Sequence, residues 1–399
     1  MMSVRKSIQA LTDEFTEYRR NMHQNPQTAF EESYAGDLIA KKLTEWDIPF
    51  VRGIGMTGIV ATIEGKTTDS GKAIGIRADM DALDIFEEPN KDWMSLTEGK
   101  MHGCGHDGHT AILLATAKYL KQNNDFDGKV NLIFQPAEEN GEGAEAMLAD
   151  GFLERFPCDA LYAMHNWPYA PLGYFEINDG PSMAAVDYFE VTVEGKGGHA
   201  SKPHTFVDPV TISCEIVTAI QTIVSRETDP FEPLVISVTN IHGGTGAFNV
   251  TPASVKFSGT VRTYCQNQRK QTEKRIKEIS SKIASSHRAN ANCVYENRTD
   301  PTINNSEQAR ICTEVAQDYM GDLMVITDAK PSMGGEDFGA FLHHVDGAYV
   351  KIGQGVINEP DHPCSKGLHN ASYDFNDDLI PIATEYWVRL VEHTLPLKK

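Results

Sequence analysis

Several absences narrow the class of this chain before any motif is read. No stretch approaches the roughly 20 consecutive apolar residues that a bilayer-crossing helix needs, so no membrane partner is expected. Lys and Arg number 36 against 56 Asp and Glu, and no basic run offsets the formal net charge of −20, which argues against nucleic acid as a partner. Cysteine is scarce: the seven lie scattered from Cys104 to Cys364, with no C-x-x-C pair. That excludes a disulfide-stapled scaffold, weakens a redox role for Cys104, and fits reduced thiols in a cytoplasmic protein. There is no internal repeat and no low-complexity segment. The opening 21 residues interrupt their apolar positions with charge, the pattern of an amphipathic helix rather than a signal peptide.

What is present alternates regularly. Apolar runs at 58–65, 73–79, 129–135 and 160–167 read as buried strands, with helical patterns at 35–46 and 109–122 between them. Strands separated by helices predict an α/β domain, its mainly parallel sheet covered on both faces. The pattern returns after residue 300, with a helix at 307–320, a strand at 348–353 and a final helix over 380–393. The middle differs. Strand 186–195, helix 208–226, strands 234–244 and 253–264, helix 268–285 and strand 291–298 spell β-α-β-β-α-β, the order of ferredoxin-like α+β units. One continuous mixed sheet is the alternative, but the periodicity changes abruptly at both borders. The expected division is 1–183 and 299–399 for the α/β domain and 184–298 for an insertion.

The densest chemical signal is the segment His102-Gly-Cys104-Gly-His106-Asp107-Gly-His109, which packs several transition-metal donors into one loop. Alone it reads equally well as a glycine-rich turn with solvated histidines. Three further features favour a site: Glu138-Glu139 just past strand 129–135, His165 at the end of strand 160–164, and Asp79 at the end of strand 73–79. In an open α/β sheet the carboxyl ends of parallel strands line the ligand crevice. His369, in a late loop-like stretch, would on its own pass for a surface histidine. Cys104, His106, Glu139, His165 and His369 make five donors, more than a mononuclear catalytic zinc takes. Five suit two ions about 3.5–4 Å apart sharing a water, which leaves Glu138 free to act as general base.

RRNMHQNP (19–26), RADMDAL (77–83), MHGCGHDGHT (101–110), FQPAEEN (134–140), MHNWP (164–168), GKGGHASKPH (195–204), GAFNVTP (246–252), GGEDF (334–338) and the late His369 occur in this order. Together they closely resemble one branch of peptidase family M20, that of hippurate hydrolases, auxin-conjugate hydrolases and N-acetyl-diaminopimelate deacetylases. The resemblance spans nearly the whole chain. It implies an α/β catalytic domain with an inserted lid and dimerisation domain. It assigns Cys104, His106, Glu139, His165 and His369 as metal ligands, Glu138 as the base, and Asp79 as an acid that orients a metal-bound imidazole. His199 resembles the family's oxyanion donor, which in many members reaches the neighbouring subunit. Asn249 and Arg262 match lid residues that hold a substrate carboxylate, although they also read as a turn residue and an exposed strand residue. Gln27 and Asp84 depart from the family pattern, which usually has Glu and Pro there; neither is a proposed ligand.

The resulting expectation is a metal-dependent amidohydrolase acting on small N-acyl amino acids. It would use two divalent ions per subunit (Zn, Mn, Co or Ni) and assemble as a homodimer through the lid. A dipeptidase or N-succinyl deacylase is the rival within the enzyme class. A catalytically silent binding protein on the same scaffold is the rival outside it, and the intact donor set speaks against that.

Overall fold

The computed structural model describes residues 4–89 and 91–397. They form two compact units, one containing the chain up to Ser182, Thr302–Pro331 and everything from Asp337, the other Met183–Pro301 with Ser332–Glu336. Among the described residues no helix is long and apolar enough to cross a membrane.

The larger unit is built on an eight-stranded sheet. Its first five strands are β1 (Phe50–Ile54), β2 (Gly58–Glu64), β3 (Ala73–Asp79), β4 (Lys129–Gln135) and β5 (Ala160–Pro171). In space the order is β1-β2-β4-β3-β5, followed by Gly347–Gly355, Phe175–Glu176 and Val325–Ile326. The central four, β4, β3, β5 and Gly347–Gly355, are mutually parallel, whereas β1 and β2 run antiparallel at one side. A mainly parallel sheet was expected, and it is what forms.

The period of two decides which chemistry faces where. Ile74, Ile76 and Ala78 of β3, Leu132 and Phe134 of β4, and Tyr162 and Met164 of β5 enter one apolar core. It is closed by α2 (Thr12–Gln24), α3 (Ser33–Glu45), α4 (His106–Gln122) and the helix Leu379–Thr394. Each large aliphatic or aromatic side chain buried there contributes about 1.5–3 kcal/mol. Arg77 and Asp79 alternate onto the opposite face. Arg77 is 2% exposed and donates to Gln135 Oε1 (2.7 Å), Asp79 Oδ2 (2.7 Å) and Asp337 Oδ1 (3.0 Å). A buried guanidinium is tolerable only when its donors and charge are met in this way.

The smaller unit has a four-stranded antiparallel sheet in the order Leu234–Gly243, Ser254–Thr263, Ala185–Glu194, Asn290–Thr299. Two helices, Pro209–Thr222 and Gln266–Ser286, cover one face. Ile212, Ile216, Ile220 and Ile276 pack on Phe189, Val191, Val193 and Phe257. Strand order and connectivity are those of a ferredoxin-like unit.

Departures from the expected elements have local causes. The opening helix is broken at Ala10–Leu11 into α1 (Lys6–Gln9) and α2, and its first three residues lie outside the described ones. The helix expected to reach 226 is α-helical only to Thr222 and ends in a π turn, Ile223–Glu227. The connection between strands 234–244 and 253–264, whose sequence TGAFNVTP (245–252) reads as a turn, contains Val250–Thr251, which pairs with Gly198–His199 as a two-stranded ribbon. The strand expected over 160–167 continues to Pro171, because Gly347–Gly355 pairs along it up to Gly355↔Pro171.

Candidate metal centre

The loop after β3 and the start of α4 bring the first donors together. Gly105 precedes the helix at φ +97°, and a Cβ there would lie 2.5 Å from Asn166 Oδ1 and 2.6 Å from the Tyr373 hydroxyl. Only glycine fits. The spacing of Gly103, Gly105 and Gly108 also satisfies G-x-G-x-x-G, but no strand leads into it. Among the described residues the last strand before it is β3, ending at Asp79, followed by an isolated bridge between Leu83 and Met101, so the strand–loop–helix order of a dinucleotide site is not built.

Ligating atoms of Cys104, His106 and Glu139 all lie within 4.8 Å of one another. His165 joins them through its Nε2, 3.3 Å from Cys104 Sγ, and its Nδ1 donates to the Asn166 carbonyl (2.8 Å). That bond fixes the tautomer and leaves the Nε2 lone pair facing the cluster. His369 closes the set, with Nε2 3.4 Å from Glu139 Oε1. Its backbone takes φ +64° and its amide donates to the Gly103 carbonyl (2.8 Å), tying a half-exposed side chain to the metal loop. Glu138 Oε2 lies 3.9 Å from His106 Nε2. The structure thus gathers all five expected donors and Glu138.

The donor chemistry fits a cation. His106 Nε2 is buried and among the described residues has no hydrogen-bond partner, although Asp79 Oδ2, Glu138 Oε2 and Glu139 Oε1 surround it at 3.7–3.9 Å. Burial pushes the Cys104 thiol well above its ordinary value, and the carboxylates of Glu139, Glu138 and Asp79 add to the effect. A thiolate at this place therefore needs a positive charge beside it. Burial holds His165 well below the ordinary histidine range, with the charge of neighbouring His109 acting in the same direction, so its ring is a neutral donor.

One assignment changes. The carboxylate on His106 Nδ1 is Asp81 (3.0 Å), not Asp79. Asp79 is bonded to His109 Nδ1 (2.5 Å), whose Nε2 sits 2.6 Å from Asn166 Oδ1. Both His109 nitrogens are thus engaged, while ligating atoms of Asp79, His106, His109 and His165 also lie within 4.8 Å of one another. Asp81 also accepts from the Glu139 amide (3.0 Å), so a single carboxylate orients two donors. Asp81, Asn166 and the buried His23 were passed over in the sequence. The D-x-D spacing of Asp79 and Asp81 and the adjacency of Asn166 to His165 were the available signals. His23 lies between Asp107 Oδ2 (2.9 Å) and Glu87 Oε1 (3.0 Å), behind the metal loop.

The other three expected residues lie in the smaller unit. His199 is exposed on the ribbon, where the Ser201 amide donates to its Nδ1 (3.2 Å), so a neutral ring carries its proton on Nε2. Asn249 is exposed, its carbonyl accepting from the Ala200 amide. Arg262 is half-buried on the strand Ser254–Thr263, and its Nε donates to Thr260 Oγ1 (3.0 Å). Among the described residues no carboxylate pairs with it.

Residues 75–393 match the family described as Peptidase family M20/M25/M40. The chain is 38% identical to the hippurate hydrolase of Campylobacter jejuni over 98% of each chain. It is 37% identical to the N-acetyl-L-cysteine deacetylase of Bacillus subtilis, over 90% of this chain and 84% of that one. A solved Bacillus subtilis structure described as a dinuclear metal binding peptidase from the M20 family superposes with a TM-score of 0.81 at 29% identity. The match covers 96% of this chain and 98% of that one.

Proposed function

The chain belongs to peptidase family M20/M25/M40, and from that membership we propose that it hydrolyses the amide bond of small N-acyl amino acids, releasing a carboxylic acid and a free amino acid. The observation that carries the reading is the convergence of Cys104, His106, Glu139, His165 and His369 around the unpartnered His106 Nε2, with Glu138 on the same side. These five would hold two divalent ions. Zn, Mn, Co and Ni all suit a Cys/His/Glu set. When bound, the ions supply Lewis acidity, acidifying a water and polarising the scissile carbonyl.

The remaining work falls to the chain's own groups. Glu138 accepts the proton of the attacking water and returns it to the leaving amine. Asp81 keeps the His106 ring and the Glu139 backbone in place. Arg262, a forked donor with no acidic partner among the described residues, and Asn249 hold the substrate carboxylate. His199 donates from Nε2 to the oxygen on which charge develops, an interaction of the type that usually contributes most. It does so from the lid of a second copy, so the working form is a homodimer, and we place the enzyme in the cytoplasm.

The test is hydrolysis of N-acetyl, N-benzoyl and N-succinyl amino acids and of dipeptides by metal-free protein reconstituted with each ion in turn. Metal-dependent release of the amino acid from the acetyl or benzoyl series is expected. Preferential cleavage of dipeptides would overturn the substrate class, and inactivity with every ion would overturn the reading.

A further inference from the structure

The turn that carries Glu138 and Glu139 is gripped from both sides by buried carboxylates. Asp81 accepts from the Glu139 amide on one side. On the other, Glu32 Oε1 accepts from the Ala137 amide (2.9 Å) and from the Phe30 amide (2.9 Å), while Glu32 Oε2 accepts from Thr57 Oγ1 (2.6 Å). Resting on the amide-hydrolase reading above, we infer that Glu32 is a positioning residue that sets the aim of Glu138.

Glu32 is 1% exposed, and among the described residues no Lys or Arg forms an ion pair with it. A buried carboxylate without a cation is costly unless its hydrogen bonds are needed. Both residues whose amides it receives are in the left-handed backbone region without being glycine, Ala137 at φ +53° and Phe30 at φ +63°. Such conformations persist only where the surroundings impose them. The Ala137 carbonyl is also engaged, by the amides of Glu142 and Gly143, so the peptide units flanking Ala137 are both pinned. Glu138 is the residue between the amide held by Glu32 and the amide held by Asp81. If Glu32 goes, the Ala137 N–H is left buried without an acceptor and the turn relaxes at that residue. Glu139 stays fixed by Asp81. Turnover should therefore suffer while metal binding does not.

Glu32→Leu removes both acceptors at similar size, whereas Glu32→Gln keeps one oxygen for the Ala137 amide. In the metal-loaded enzyme Glu32→Leu should lose about 100-fold in kcat, the scale of a 1 Å misplacement. KM and metal content should stay near wild type, and hydrogen exchange at the Ala137 amide should speed up. Glu32→Gln should recover most of the lost turnover and protection. Wild-type kcat in Glu32→Leu, a loss that tracks metal content, or no difference between Leu and Gln would each overturn the inference. If Glu32→Leu does not fold, Thr57→Val takes its place, since it removes only the donor to Oε2. A smaller fall in kcat at constant metal content is then expected, and unchanged kcat overturns the inference. Wild-type protein inactive on the whole N-acyl series overturns the amide-hydrolase reading and this one with it. Active wild type with equally active Glu32→Leu overturns this one alone.

Discussion

Glu138 and Glu139 share a peptide bond, yet amidation should affect them in different ways. Glu139 Oε1 lies 3.9 Å from His106 Nε2 and 3.4 Å from His369 Nε2, and its backbone is tied to Asp81. In Glu139→Gln an anionic donor is lost from a set whose cysteine already needs a cation beside it. Elemental analysis should find at least one metal equivalent missing. Glu138→Gln should keep its metal while turnover falls roughly 10²–10⁴-fold, the contribution of a general base. Equal metal loss in both variants would remove the reason for giving them different roles. At this scale Cys104 and His106 stand out beside glycines and Glu139 just past a strand, whereas His369 sits in a loop and takes its place in the set only from the family resemblance. Their supports do not stand out. Asp79 and Asp81 are the same residue type two positions apart, and only the folded chain shows which of them meets His106.

Between elements, α2 is attached to the metal loop by charge. His23 bridges Asp107 and Glu87, and Glu87 also receives the Ser95 amide (2.6 Å) and pairs with Lys91 (3.0 Å). Burial opposes ionisation of Glu87, but the hydrogen bond and charge of His23, with Ser95 and Lys91, outweigh it and bring the carboxyl from the ordinary 4.5 down to about 2. A depressed acid contributes stability above its unfolded value, and that contribution is lost as pH falls towards the folded one. Wild-type Tm should therefore fall between about pH 4.5 and about pH 2. Glu87→Gln, less stable at neutral pH by on the order of 1–3 kcal/mol, should show a flatter profile there. Parallel profiles from calorimetry at stepped pH would show that Glu87 plays no such part. His23 acts in the opposite sense. Burial works against its charge, but Asp107 and Glu87 raise its pKa, so its contribution is complete below the ordinary 6.5 and fades as pH rises through the folded value.

For the whole molecule, the open question is whether one chain suffices. The strand Leu234–Gly243 ends the sheet of the smaller unit, and an unpaired edge is a ready surface for a second copy around a two-fold axis. If His199 serves the partner's site, mixing inactive Glu138→Gln chains with inactive His199→Ala chains should restore turnover. Random exchange makes about half the dimers mixed, each with one intact site, so roughly a quarter of wild-type activity is expected for independent sites. Subunit exchange is checked by pull-down of one tagged variant. Activity at background despite demonstrated exchange would mean that His199 works in its own subunit or not at all.

The sequence by itself determined most of the elements and singled out the Cys104–His109 segment and the Glu138-Glu139 pair. Side-chain direction follows the backbone period, so apolar spacing alone located β3 at 73–79 and β4 at 129–135, and the same local rule put Asp79 and the Glu138-Glu139 pair at strand ends. The β-α-β-β-α-β order likewise anticipated the ferredoxin-like sheet. What only the tertiary structure decided is partnership. The spatial order β1-β2-β4-β3-β5 depends on pairing between segments far apart in the chain, and that pairing leaves no periodic trace. The same holds for the bond from the Ala137 amide to Glu32, which joins residues 105 positions apart. A carboxylate next to another in a loop reads as solvated surface. It becomes a buried acceptor only when folding removes the water and leaves a strained amide beside it.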